Sequence, residues 1–155
     1  MPTALPIAIQ YATARVGLPH RRSVERWIAA ALGDGRRSPI IDMITVRFVD
    51  RPEGRRLNRT YRHRDYATNV LTFSTPLGAS PMIAGDIALC APVVAAEARA
   101  FRRTKQAHYA HLVVHAMLHL QGHDHGERRA RARMEASEKA ILERLGYADP
   151  YWIEE

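Results

Sequence analysis

Cysteine is nearly absent from this 155-residue chain, with Cys90 the only one. No internal disulfide can form, and a reducing compartment is the expected setting. Lysine is almost as scarce: only Lys105 and Lys139 occur, so nearly all the positive charge is arginine. Charge is also missing from residues 70–96, where Asp86 stands alone. Pro76, Gly78, Pro81, Gly85 and Pro92 interrupt that stretch, which rules out a membrane-spanning helix. The opening M-P-T-A-L-P-I-A-I-Q has neither a basic region nor a long apolar core. A secretory signal is therefore not expected, and the cytoplasm is the expected location. Repeats, low-complexity tracts and internal linkers are lacking too, so residues 1–155 read as a single domain, long enough to bury a core.

What is present is basic. A formal charge of +7 favours a polyanionic partner, nucleic acid first. The arginine bias fits phosphate recognition by a planar fork, and it fits genome base composition equally well; the sign of the charge is the usable fact.

Histidine is concentrated. Six of the eight lie between His108 and His125, in H-Y-A-H-L-V-V-H-A-M-L-H-L-Q-G-H-D-H. His111, His115 and His119 are spaced four apart, which places them along one helical face with His108. About 6 Å of rise separates His115 from His119, so both imidazoles can reach one ion. Gly122 can take the left-handed conformation that ends a helix, and the returning chain would bring His125 to the same point. His115, His119 and His125 thus form an expected site for one zinc ion, with an open fourth position. The offsets match the extended zinc-peptidase pattern H-E-x-x-H-x-x-G-x-x-H, except that Ala116 replaces the glutamate. A peptidase needs that carboxylate to move a proton, and Ala116 cannot. His111 reads as an outer partner of the ligands, a substrate-facing group or a packed side chain. His123 is a competing ligand, and Asp124 either orients a ligand or caps the next helix.

Hydrophobic periodicity supplies the frame. Ile7, Ile9 and Tyr11 alternate as a first strand; Ser23 is a plausible N-cap for a helix ending near Gly33. I-T-V-R-F-V, from Ile44 to Val49, is the clearest strand, and Asp50 with Pro52 and Glu53 opens a second helix carrying Leu57 and Tyr61 on its inner face. V-L-T-F-S and G-D-I-A-L-C are further strands. Ala91 to Phe101, Lys105 to Gln121 and Glu127 to Leu145 read as helices, the last with Met134, Ile141, Leu142 and Leu145 as its buried stripe and Gly146 at its end. Tyr151 and Trp152 are expected to pack back onto the body. Four short strands with helices gathered late make an α+β fold, a sheet of about four strands with the histidine helix, in the C-terminal half, packed on one face.

Three stretches in this order, Y-R-H-R-D-Y-A-T-N-V-L-T-F-S, G-D-I-A-L-C and H-L-V-V-H-A-M-L-H-L-Q-G-H-D-H, together with the ending L-G-Y-A-D-P-Y, resemble the YbeY family of endoribonucleases and ribosomal RNA maturation factors. The likeness runs from about Leu57 to Tyr151. It implies a zinc-dependent, single-strand-directed endoribonuclease with His115, His119 and His125 on the metal and Arg62 as the functionally important arginine. It also implies action at the 3′ end of the small-subunit (16S) ribosomal RNA and in ribosome quality control, with small-subunit proteins and a ribosome-associated GTPase as partners. Ala116 stands where the family usually has glycine, and His123 where it has tyrosine.

Phosphodiester hydrolysis needs a nucleophile and relief of the charge that builds on the phosphate. Zinc lowers the pKa of its bound water to about 7, and an arginine fork places paired donors on phosphate oxygens. With the resemblance, His115 and Arg62 are the expected catalytic residues; without it, Arg62 reads as one more surface arginine beside Arg56, Arg59 and Arg64. Candidates for a general base are the zinc-bound hydroxide, His111 and Asp86, although Asp86 equally suits a turn cap. Thr68 and Asn69 either contact substrate or turn the chain. Tyr61 and Tyr66 are either stacking platforms for bases or core residues. Two other readings compete: a ribosome-assembly factor with a structural zinc and no catalysis, and, disfavoured by Ala116 and the basic charge, a zinc peptidase.

Overall fold

The computed structural model describes residues 5–33, 40–122 and 127–151. Along the chain run β1 (Ile7–Tyr11), α1 (Arg21–Leu32), β2 (Ile41–Val49), α2 (Arg51–Arg62), β3 (Val70–Ser74), β4 (Ile83–Cys90), α3 (Ala91–Ala100), α4 (Lys105–Leu120) and α5 (Arg128–Arg144). The four strands form one mixed sheet in the order β1-β2-β4-β3. β1, β2 and β4 are parallel, while β3 runs antiparallel along β4 at the edge. This is the expected α+β architecture, one sheet of four strands with helices packed on it.

Side-chain alternation decides which face is covered. Ile44, Val46 and Phe48 are fully buried, whereas Thr45 and Arg47 between them are only partly so. With Ile87 and Leu89 they share one core with Val24, Trp27 and Ile28 of α1, and with Met134, Ile141 and Leu142 of α5. Through that core runs α4. Tyr109, Ala110, Val113, Val114, Ala116 and Met117 are each at most 1% exposed, so this helix is buried on most of its circumference. Burial of each larger apolar side chain among them, such as Val113, Val114 and Met117, contributes roughly 1.5–3 kcal/mol.

Two helix starts follow from local chemistry. Asp50 accepts a hydrogen bond from the Glu53 backbone N–H at 3.0 Å, and Thr104 accepts from that of Ala107 at 3.0 Å. α1 starts differently from expectation. Its N-cap is His20, with no side-chain cap, so Ser23 lies inside the first turn. The Ser23 hydroxyl instead accepts from Gln106 Nε2 at 3.2 Å, tying α1 to α4. α2 also buries another stripe than expected. Gly54 and Asn58 face inward, Leu57 is half-buried, and Tyr61 is 61% exposed. The helix approaches β4 closely through Gly54, where an added Cβ would lie 3.1 Å from Cys90 Sγ. A small residue at the contact turns the two larger side chains aside.

Candidate functional site

From His108 to Leu120, only His111, His115, His119 and Leu120 escape full burial. The three histidines therefore make a partly open line along a helix otherwise embedded in core, and the His111 and His115 rings are 6.4 Å apart. The far end of the line is fixed by Gln121, whose side chain donates to Ala31 of α1 at 2.9 Å. Gly122 has φ of +93°, the left-handed value expected where the helix ends. His123, Asp124 and His125 lie outside the described residues, as does Trp152.

His115 and His119 line a pocket of about 430 Å³ together with β3 and the segment that follows α2. Arg62, the last residue of α2, lines it as well, and its guanidinium donates to the Thr72 carbonyl of β3 at 2.8 Å. Arg64, Tyr66, Thr68 and Asn69 complete the rim. The histidine helix and the arginine segment, far apart in sequence, thus meet across the edge strand.

Buried polar groups hold that rim. Asn58, only 2% exposed, donates to the Tyr66 carbonyl at 2.8 Å and accepts at its own carbonyl from the Arg64 backbone N–H at 3.3 Å. Between these residues His63 takes a left-handed backbone, φ +59°, so the chain can reverse after α2. Asn69 donates to Glu97 of α3 at 2.9 Å, and the same Glu97 oxygen lies 2.9 Å from His108 Nε2. Burial pushes the His108 imidazole below its ordinary value despite that carboxylate, so the neutral ring is favoured.

Charge at the rim is selective. Arg55 holds Asp65 in a paired bond at 2.8 and 2.9 Å, which keeps that carboxyl below its usual range, and Arg59 lies 3.9 Å from the same group. Among the described residues no carboxylate forms an ion pair with Arg62 or Arg64. Those two guanidiniums remain available to an anion in the pocket.

Beneath the histidines sits a residue that the sequence reading passed over. Glu138 of α5 has no exposed surface. One oxygen takes a short hydrogen bond from His115 Nδ1; the other takes one from the Tyr151 hydroxyl and lies 3.4 Å from His111 Nε2. Burial alone would raise this carboxyl, but the bonds from His111, His115 and Tyr151 outweigh it and hold the group down at about 2. Tyr151 is pushed up, by burial and then by Glu138. The signal was present in the sequence. Glu138 stands four residues after Met134 and four before Leu142, a charged residue on the buried stripe itself.

His115 and His119 present imidazoles, a donor type that zinc takes, on one pocket wall. A carboxylate at Nδ1 of His115 is the arrangement common to histidines that bind a metal through Nε2. Ala116, by contrast, is fully buried. A carboxylate there would lie in the core, away from the pocket, which removes the geometric basis of the peptidase reading.

Other candidates fall elsewhere. Asp86 lines a separate hollow of about 420 Å³ with Arg47 and Glu53, outside the histidine pocket. Tyr61 lines that second hollow too, and its ring packs edge-on against Phe73 at 5.0 Å. His111 is engaged with Glu138 and Tyr151 and is not among the pocket's lining residues. Neither Asp86 nor His111 lines the pocket of His115 and His119. No helix among the described residues is long and apolar enough to cross a membrane.

Comparison with known proteins identifies the family. The family model described as endoribonuclease YbeY matches residues 10–146. A protein of that description from Methylibium petroleiphilum is 52% identical over 149 residues, covering 95% of this chain and 94% of the relative. One from Bordetella pertussis is 47% identical over 154 residues, covering 97% and 98%. A third, from Cupriavidus necator, is 52% identical over 138 residues, and there the match spans 88% of this chain and 66% of a longer relative. Among solved structures, the solution structure of TM1509 from Thermotoga maritima shares the fold, with a TM-score of 0.51 at 21% identity, over 95% of this chain and 99% of that one.

Proposed function

The chain belongs to the endoribonuclease YbeY family and is an endoribonuclease by that membership, and from this premise we propose that it cleaves single-stranded RNA in the pocket shared by His115, His119 and Arg62, with one zinc ion as cofactor. The natural substrate proposed is the 3′ end of small-subunit ribosomal RNA, within ribosome maturation and quality control in the cytoplasm. Small-subunit proteins and a ribosome-associated GTPase are the proposed partners.

The observation that carries the reading is the convergence on one pocket of two helical histidines and an arginine paired with no carboxylate among the described residues. His115, His119 and His125 would hold the zinc, which when bound supplies Lewis-acid activation of the nucleophile and of the phosphate. Arg62 is held against β3 by the Thr72 carbonyl, with its remaining donors left for the phosphate oxygens on which charge develops. Arg64 adds positive potential beside it and draws the RNA backbone in. Tyr66, half-exposed at the rim, offers a face on which an unpaired base can stack. A duplex cannot splay its bases onto such a platform, which favours single strands.

Cleavage of a labelled small-subunit RNA 3′ precursor tests this, using zinc-loaded protein beside Arg62→Ala and His115→Ala, all purified identically. The expected result is activity in the parent and a fall of roughly 100-fold or more in both folded variants, the size seen when one charge-stabilising group is removed. Equal activity in all three would mean a contaminating nuclease. A parent that binds the RNA without cutting it would instead support the non-catalytic assembly factor.

A further inference from the structure

We propose that Glu138 is a positioning residue for the metal centre: its carboxylate accepts the Nδ1 proton of His115, fixes that tautomer and turns Nε2 toward the metal. This rests on the reading of His115 as a zinc ligand and extends it to a residue on another helix.

Packing alone does not account for Glu138. Its neighbours on the inner face of α5 are Met134, Ile141 and Leu142, and a leucine or methionine at 138 would join them without the desolvation cost of an ionised carboxylate. The carboxylate is kept because its partners are in place. His115 occupies one oxygen, and the Tyr151 hydroxyl and His111 share the other. Tyr151 belongs to the chain's last described turn, which is itself anchored: Arg103 donates to the Pro150 carbonyl, and Lys139 lies 3.8 Å from Asp149. The C-terminal turn thus closes over Glu138, Glu138 fixes His115, and His115 opens on the pocket.

The consequence is specific. A neutral imidazole carries one proton, on either nitrogen. A carboxylate at Nδ1 selects the tautomer with Nε2 unprotonated and raises its basicity as a ligand. Without Glu138, His115 would divide between tautomers and ring orientations, and zinc would bind more weakly even with every ligand present.

The test uses the full chain and zinc alone. Long-range ¹H–¹⁵N spectra of the histidine side chains in the parent, before and after zinc, report the tautomer directly. The expected spectrum has His115 protonated at Nδ1 and metal-bound through Nε2; metal bound through Nδ1 would overturn the proposal without any variant. Zinc affinity follows by competition with a chromophoric chelator for the parent, Glu138→Gln, Glu138→Ala and His115→Ala. Glu138→Gln keeps an acceptor and should lose about 10-fold, while Glu138→Ala should lose up to about 100-fold, the range typical of such outer partners. If His115→Ala loses zinc while both folded Glu138 variants stay within twofold of the parent, the positioning role fails and the metal site stands. Undiminished zinc affinity in His115→Ala would overturn both. Should the Glu138 variants fail to fold, the parent's spectra alone decide.

Discussion

Gly85 of β4 and Leu120 of α4 are in such close approach that a Cβ at Gly85 would sit 2.8 Å from Leu120 Cδ2 and 2.5 Å from the Phe73 carbonyl oxygen. The absence of a side chain there sets how near the end of the histidine helix comes to the sheet. Gly85→Ala should destabilise the protein by roughly 1–3 kcal/mol through overpacking. Trimming the leucine in Gly85→Ala/Leu120→Ala should restore little, because the closer obstacle is backbone. Urea unfolding of the single and double variants measures both.

Acid should find His108 early. Its folded-state value is depressed by burial below the ordinary 6.5, so above that pH the ring is neutral in both states and stability is undiminished. As pH falls through 6.5 the unfolded chain takes up a proton that the folded one refuses, and stability declines until the folded value is reached. The slope from one such group is at most about 1.4 kcal/mol per pH unit. His108→Gln, which can still donate to Glu97, should flatten the unfolding midpoint as pH falls below the ordinary 6.5. A curve parallel to the parent's would show that His108 carries none of the dependence. The Glu138 carboxylate gives a separate loss, between its ordinary 4.5 and about 2.

Much of this was legible in the sequence, and the limits have physical causes. Alternation in β2 and the fourfold spacing of His111, His115 and His119 are local patterns that tertiary context did not override. The start of α1 was misplaced because a serine hydroxyl serves equally as a cap or as a tertiary acceptor, and Gln106, far along the chain, decides which. The inner face of α2 was misread because apolar size suggested Leu57 and Tyr61, while the close approach to β4 required Gly54. Glu138 was passed over because charge ordinarily marks a solvated face; its partners lie on α4 and in the C-terminal turn, and no local period joins the three.

Asn58 makes a separable prediction, since it touches the rim and not the pocket's histidines. Removing its amide in Asn58→Ala leaves the Tyr66 carbonyl without its buried donor and should cost about 1–3 kcal/mol. Because the segment bearing Arg64 and Tyr66 would then be less fixed, RNA cleavage should fall while zinc affinity stays at the parent's value. Zinc loss of the same size as the activity loss would place Asn58 in the metal site instead.

The two tyrosines beside the arginine segment separate binding from bulk hydrophobicity. Both are more than half exposed, but Tyr66 lies on the rim of the histidine pocket and Tyr61 rests against Phe73 over the second hollow. If a base stacks at the site, Tyr66→Ala should weaken binding of a single-stranded oligonucleotide by about 1–3 kcal/mol, whereas Tyr66→Phe should bind like the parent, because the ring face and not the hydroxyl does the stacking. Tyr61→Ala should leave that affinity within twofold and show its effect, if any, in the melting temperature. Titrations with a fluorescent oligonucleotide at one fixed salt concentration compare all three, since arginine contacts make every affinity salt-dependent. Equal losses from Tyr61→Ala and Tyr66→Ala would move the RNA path across the β3 edge onto both hollows. That outcome would turn the edge strand from the wall of one pocket into a ridge between two.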